Sequence, residues 1–217
     1  MLPEAEAQPP EFFAAEIEKQ IPAFGLSLDP SRIAFLARYL AELDLWRRRT
    51  NLTGPLRAEE LVSHALESVL GEKLIPHGIR VIDIGSGAGL PGIPLAISRP
   101  DLAVTLLEPR GRRAAFLSHA ARTVPLPNVQ VLKQRAENLA KPTYDMATSR
   151  ALANLEEVLM RARFLEPRSS LLLWTTDPKK LTDALFPDFS LERVEHVPGT
   201  RERVIAAYRM RPSRSLS

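Results

Sequence analysis

An acid, Asp83, stands at the end of an apolar run and is followed by four glycines, in "VIDIGSGAGLPGIPLAI" from Val81 to Ile97. Glycines at Gly85, Gly87, Gly89 and Gly92 allow the backbone to turn sharply and to approach a ligand closely. Read from Gly87, the stretch spells G-x-G-x-x-G, the dinucleotide fingerprint. Read from Asp83, it spells D-x-G-x-G-x-G, a signature of S-adenosylmethionine binding. The carboxylate separates the two readings. It can orient the loop and meet the cationic, amine-bearing methionine end of S-adenosylmethionine, whereas it would repel a pyrophosphate. Glu108, closing "VTLLE", is placed to accept hydrogen bonds from ribose hydroxyls under either reading. The residues therefore favour a methyl donor over NAD.

These groups need a frame that holds a strand end, a turn and a helix start together. After Gly78 the sequence alternates short buried strands with helices. "IRVIDIG", "LAVTLLE", "VQVLKQ", "YDMATSR" and "SSLLLWT" have the apolar content of strands. "LPGIPLAISR", "RRAAFLSHAAR", "LEEVLMRARFL" and "PKKLTDALF" have that of helices. Such alternation predicts an α/β fold, Rossmann-like, with a mostly parallel sheet and helices on both faces. Ligands of such folds lie beyond the carboxyl ends of the strands at the switch point, and the glycine loop follows the first strand there. "FSLERVEHV" and "ERVIAAYRM" can pair as the last two strands. Ahead of the alternation, "EFFAAEIEKQI", "DPSRIAFLARYLAELDLWRRR" and "RAEELVSHALESVLGEKL" form a helical N-terminal extension. Ser31 is a candidate cap of the second helix, with Asp29 close by. The divisions are 1–75 for the extension, 76–211 for the α/β domain and 212–217 for a basic tail.

Composition narrows the class. The chain has 217 residues, 45% hydrophobic and 25% charged, as expected of a soluble globular protein. With no cysteine, disulfides and thiolate metal sites are excluded, and no metal is expected. No apolar run has the length of a membrane span, and the start lacks the plan of a signal peptide, so a cytoplasmic setting is expected. Net charge is only +3, but arginines cluster at Arg47–Arg49, at Arg110, Arg112 and Arg113, and in the tail. Three clusters make a polyanionic partner worth weighing against plain solvated faces.

"DIGSGAGLPGIPLAI", with its Leu90-Pro91-Gly92-Ile93-Pro94 extension, resembles the glucose-inhibited division protein B family, also called ribosomal RNA small subunit methyltransferase G. The resemblance spans roughly residues 35–210. Trp46 with Asn51-Leu52-Thr53 matches the family's W-N-x-x-x-N-L-T, with Arg47 in place of the first Asn. "LLEPRGRRAAFL", "RAE" at Arg135–Glu137, "SRA" at Ser149–Ala151 and "RERVI" match further motifs in order. The resemblance implies a class I methyltransferase fold and transfer of a methyl group to nitrogen 7 of a guanine in 16S ribosomal RNA. By position it implies that Gly85 and Leu90 belong to the cofactor loop, to which the motif reading also assigns Asp83, Ser86 and Gly87. Glu108 would serve the ribose and Ala136 and Glu137 would flank the adenine. Arg150 would face the methionine end or the target base. The implied partner is 16S ribosomal RNA or the small ribosomal subunit, acted on by a monomer.

Two departures stand out. Ser63 and Glu67 replace the Arg and Asp of R-H-x-x-D-S, while His64 and Ser68 remain. Trp174, Thr175 and Thr176 stand where the family often has L-K-G. Nitrogen 7 of guanine already offers a lone pair and no proton, so transfer needs alignment and dryness rather than a general base. A donor to the neighbouring 6-oxo group would position the base, and Arg150 and His64 are the candidates. Other readings stay open: a methyltransferase acting on another RNA or a small molecule, or a non-catalytic, cofactor-sensing RNA-binding module.

Overall fold

The fold is taken from a computed structural model, which describes residues 7–139, 144–150, 165, 169–176, 181 and 188–211. Three helices come first: α1 (Pro10–Phe24), α2 (Pro30–Arg47) and α3 (Ala58–Leu70). Then follow β1 (Arg80–Ile84), α4 (Gly92–Ser98), β2 (Ala103–Leu107), α5 (Gly111–Thr123), β3 (Val129–Leu132), β4 (Met146–Arg150), β5 (Ser170–Thr175), β6 (Phe189–His196) and β7 (Val204–Met210). The strands form one sheet in the order β3-β2-β1-β4-β5-β7-β6. The first five are mutually parallel, and β7 runs antiparallel to both β5 and β6. The mostly parallel sheet and the final pair are as the sequence predicts. Apart from Leu165 and Leu181, the segments "LEEVLMRARFL" and "PKKLTDALF" read as helices, and the basic tail, lie outside the described residues.

Side chains alternate between the two faces of a strand. Val81, Met146, Leu172, Trp174 and Ile205 point into the core shared with α1 to α5, while Ile82, Ile84, Ala147, Leu171 and Leu173 point into a second core. By the same period, Asp83, Thr148 and Arg150 share the helix-covered face. This places them against α3 and the glycine loop.

The N-terminal helices are part of that shared core. Phe13 and Ile17 of α1, Leu36, Leu40 and Leu43 of α2, and Leu61 and Leu66 of α3 are fully buried in it. Gly25 ends α1 in the left-handed region at φ 60°, where its N–H can turn back to Pro22 O. Asp29 caps α2, accepting from Arg32 N at 2.9 Å, and Pro30 is the first helical residue. Ser31 instead donates to Asp29 Oδ1 at 2.5 Å, so it supports the cap one step removed. The reason is register: Pro30 cannot donate a backbone bond and suits the first turn, which moves the cap to Asp29.

Candidate active site

The glycine loop leaves β1 and is stitched to the end of β2. Gly85 and Ser86 N–H both donate to Leu107 O, at 2.9 and 3.2 Å. Gly87 N–H donates to Glu108 Oε2 at 3.0 Å, and Arg110 N–H to Glu108 Oε1 at 2.8 Å. Glu108 is thus a buried carboxylate that fixes the loop, with lone pairs left on both oxygens for further donors. Gly87 sits at φ 54°, and a Cβ there would meet only Arg113 Nη1 at 3.5 Å and Gly85 O at 3.6 Å. It would strain the backbone and fill the concave side of the loop. Gly92 is required for a different reason: its Cβ would lie 2.3 Å from Leu106 Cδ2 and 2.8 Å from Asp83 Oδ2.

Asp83 is 1% exposed. Its Oδ1 accepts from Thr148 Oγ1 at 3.0 Å, and its Oδ2 is buried with no hydrogen-bond partner among the described residues. Burial pushes its pKa up to about 6, helped by the Glu108 charge and opposed by the Thr148 bond and by the nearby Ser86 hydroxyl and Gly92 N–H. A buried carboxylate oxygen with spare acceptor capacity is an unmet demand for a cation or donor. Ser86 Oγ donates to Asp83 O at 2.8 Å, and Ser149 Oγ to Ile84 O at 3.0 Å, holding the strand end from both sides. Tyr39 of α2 donates its buried hydroxyl to Ala88 O at 2.7 Å, so the N-terminal helices grip the loop directly.

Arg150, at the end of β4, points at α3. Nη1 donates to His64 O at 2.8 Å and Nη2 to Glu67 Oε2 at 2.7 Å, with His64 Nδ1 also against Nη2. Glu67 is 3% exposed and additionally takes Arg203 Nη1, just ahead of β7. Burial works against its charge, but the His64 bond and the Arg150 and Arg203 cations outweigh that and hold its pKa below the ordinary carboxylate value. Glu67 Oε2 lies 3.2 Å from His64 Nδ1. Nδ1 can accept from Arg150 or donate to Glu67 but not both at once, and Nε2 makes no hydrogen bond to the described residues.

The structure brings Asp83, Gly85, Ser86, Gly87 and Glu108 together, and brings His64 and Arg150 together through Glu67. Leu90 packs at the exit of the loop against the shared core. Ala136 and Glu137 begin a short 3-10 turn after β3, with Ala136 buried in the second core beside Ile84 and Leu107, and Glu137 exposed.

Tyr39 and Thr148 of the site were not singled out from sequence, Glu67 and Trp174 were read only as departures from the family pattern, and Arg203 only as part of the "RERVI" match. Tyr39 had a signal, because a tyrosine within the stripe Leu36, Leu40 and Leu43 must find a partner for its hydroxyl. At the departures, Ser63 Oγ donates to Gln20 Oε1 at 2.8 Å and so faces α1. Trp174 Nε1 donates to Glu67 O at 2.8 Å, and its ring fills the space over Gly71, where a Cβ would lie 2.3 Å from Cζ2. The Arg47–Arg49 cluster is also largely spent internally. Arg47 and Arg48 both pair with the fully buried Asp44, at 2.6 and 2.9 Å.

The sheet order, the acid–glycine loop and the acid at the end of β2 define a Rossmann-like methyltransferase fold. A single-residue mutant of MtNAS solved in complex with S-adenosylmethionine shares it, with TM-score 0.63 and 15% identity over 94% of this chain and 97% of that one. TrmN from Thermus thermophilus shares it with TM-score 0.53 and 22% identity, over 67% of this chain and 48% of that one.

The model of the family described as rRNA small subunit methyltransferase G matches residues 32–180. Ribosomal RNA small subunit methyltransferase G of Chromobacterium violaceum is 40% identical over 156 residues, 70% of this chain and 73% of that protein. The protein of the same name from Xanthomonas axonopodis pv. citri is 44% identical over 149 residues, 67% of this chain and 70% of its own. The chain belongs to the rRNA small subunit methyltransferase G family.

Proposed function

We propose that this chain transfers a methyl group from S-adenosylmethionine to nitrogen 7 of a guanine in 16S ribosomal RNA. Asp83 carries the cofactor assignment. Its buried, unpartnered oxygen at the strand end suits an ammonium group and opposes a pyrophosphate. Glu108, already holding Gly87 and Arg110 N–H, has acceptor capacity left for ribose hydroxyls. Gly85, Ser86, Gly87 and Leu90 would form the backbone cradle, and Ala136 and Glu137 would flank the adenine. Bound there, S-adenosylmethionine supplies an electrophilic methyl group on a sulfonium.

The chain's own residues orient and desolvate. Attack by nitrogen 7 uses an existing lone pair, so no side chain need remove a proton. Arg150 and His64 would meet the base. Arg150 has five N–H donors, and its bonds to His64 O and Glu67 leave others for the 6-oxo oxygen. Glu67 fixes the guanidinium without consuming it. The sharing of Glu67 between Arg150 and Arg203 also ties the catalytic strand end to the region before β7. The RNA partner follows from the family. The cytoplasm is the setting consistent with it.

The reading is tested with small ribosomal subunits from cells lacking the gene, incubated with the purified protein and S-adenosylmethionine labelled on the methyl group. Label in 16S RNA supports it. Label in no RNA, with cofactor binding intact, would favour the sensing module over the enzyme.

A further inference from the structure

The two arginine clusters near the glycine loop look equivalent in sequence and are not equivalent in the fold. Residues 42–60 hold four basic side chains, Arg47, Arg48, Arg49 and Arg57, and four acids, Glu42, Asp44, Glu59 and Glu60. Asp44 takes Arg47 and Arg48, and Glu60 takes Arg57. Residues 109–139 hold six basic side chains and a single acid, Glu137. Arg110, Arg112 and Lys133 are exposed there, and none has a hydrogen bond or ion pair from its side chain among the described residues.

The fold gathers those cations. Arg110 precedes α5 with its N–H held on Glu108, Arg112 lies in the first turn of α5, and Lys133 follows β3. Gly111 brings the strand ends close, because a Cβ on it would stand 3.4 Å from Lys133 Nζ. Arg113 leans back from the same helix toward the loop, with Nη1 3.5 Å from the Cβ position of Gly87 and Nη2 donating to Asn51 O at 3.1 Å. The result is a strip of like charge across the carboxyl ends of β2 and β3, beside the glycine loop. At a helix N-terminus such cations also oppose the dipole. Glu108 spends its oxygens on backbone N–H groups, and the side chains of Arg110, Arg112 and Lys133 pair with no acid among the described residues, so a polyanion lying over them is favoured.

We infer that this strip is where the ribose–phosphate backbone of the RNA lies, and that the Arg47–Arg48 pair is structural. The inference rests on the RNA substrate proposed above. It says which surface the RNA uses, and it moves the contact away from the most basic run in the sequence.

Binding of transcribed 16S RNA is measured across a salt series for three proteins: wild type, the double variant Arg112→Ala/Lys133→Ala, and Arg48→Gln. Each backbone contact contributes roughly 0.7–0.9 to the log–log salt slope. The double variant should therefore bind more weakly and lose about 1.5 from the magnitude of the slope. Arg48→Gln should keep the wild-type slope, and calorimetry should show S-adenosylmethionine affinity unchanged in both. A double variant that superimposes on a wild type that binds RNA overturns the surface alone. So does a slope lost in Arg48→Gln but kept in the double variant. A wild type that binds neither this RNA nor small ribosomal subunits overturns the RNA substrate itself, and the strip with it.

Discussion

Thr148 Oγ1 donates to Asp83 Oδ1 at 3.0 Å across the β1–β4 pair, where the two residues are in register. That bond supports one oxygen of a buried carboxylate, while the other has no hydrogen-bond partner among the described residues. The site therefore carries an electrostatic cost in the free protein that a cationic ligand group would relieve.

The cost has a pH signature. Asp83 has a pKa of about 6 in the fold against an ordinary 3.8. The folded state thus keeps a proton that the unfolded chain releases as pH rises from about 4 to 6. Stability falls through that window, by on the order of 3 kcal/mol for a shift of roughly two units. Asp83→Asn removes the titration while keeping the shape. Thermal melts should find the variant gaining on wild type as pH rises from 4.5 to 8, and calorimetry should find its S-adenosylmethionine affinity much reduced. A stability difference that is constant over that range would contradict the assignment.

Gly87→Val should leave the fold intact and abolish S-adenosylmethionine binding. The left-handed φ makes any side chain there strained, by roughly 1–2 kcal/mol, but no packed core atom is displaced. Calorimetry alongside circular dichroism checks both parts. Wild-type affinity in a folded variant would take the glycine loop out of the binding site.

Glu67→Ala should be among the most damaging single changes. It strands Arg150, 15% exposed, beside Arg203 with no counter-charge, a situation that costs about 3–5 kcal/mol where the pair is well buried. Wild-type stability from this cluster should fade as pH drops below the ordinary glutamate value, since the folded pKa of Glu67 is depressed. Urea denaturation at pH 7 and pH 4 measures both effects. A loss under 1 kcal/mol at pH 7 would mean the network is not coupled as the geometry indicates.

Gly71→Ala should overpack Trp174, whose ring carbon would be 2.3 Å from the new methyl. The expected loss is about 1–3 kcal/mol. Gly71→Ala/Trp174→Leu should recover part of it, because the ring is gone. Equal stability of wild type and Gly71→Ala would show that the ring moves aside freely.

The elements nearest the glycine loop were legible because several local signals agreed there: apolar strands, glycines spaced after an acid, prolines at a helix start, and an acid at the end of β2. What stayed hidden depended on distance in the chain. Glu67 on an amphipathic helix resembles a solvated acid until Arg150 and Arg203 arrive from 83 and 136 residues away. Thr175 stands where the family often has a lysine, and Trp174 before it proved to fill the space above Gly71. Asp44, by contrast, could have been seen. It stands three and four residues before Arg47 and Arg48, the spacing at which helical charges pair.

The most direct test of methyl transfer to guanine is nucleoside mass spectrometry of 16S RNA. Small subunits from cells lacking the gene are treated with S-adenosylmethionine and either the wild-type chain or Asp83→Asn, then digested to nucleosides. 7-Methylguanosine should be gained with wild type, in a fixed ratio to RNA, and absent with the variant. A wild-type reaction that yields no methylated nucleoside, or one methylated elsewhere than nitrogen 7 of guanine, would contradict that transfer.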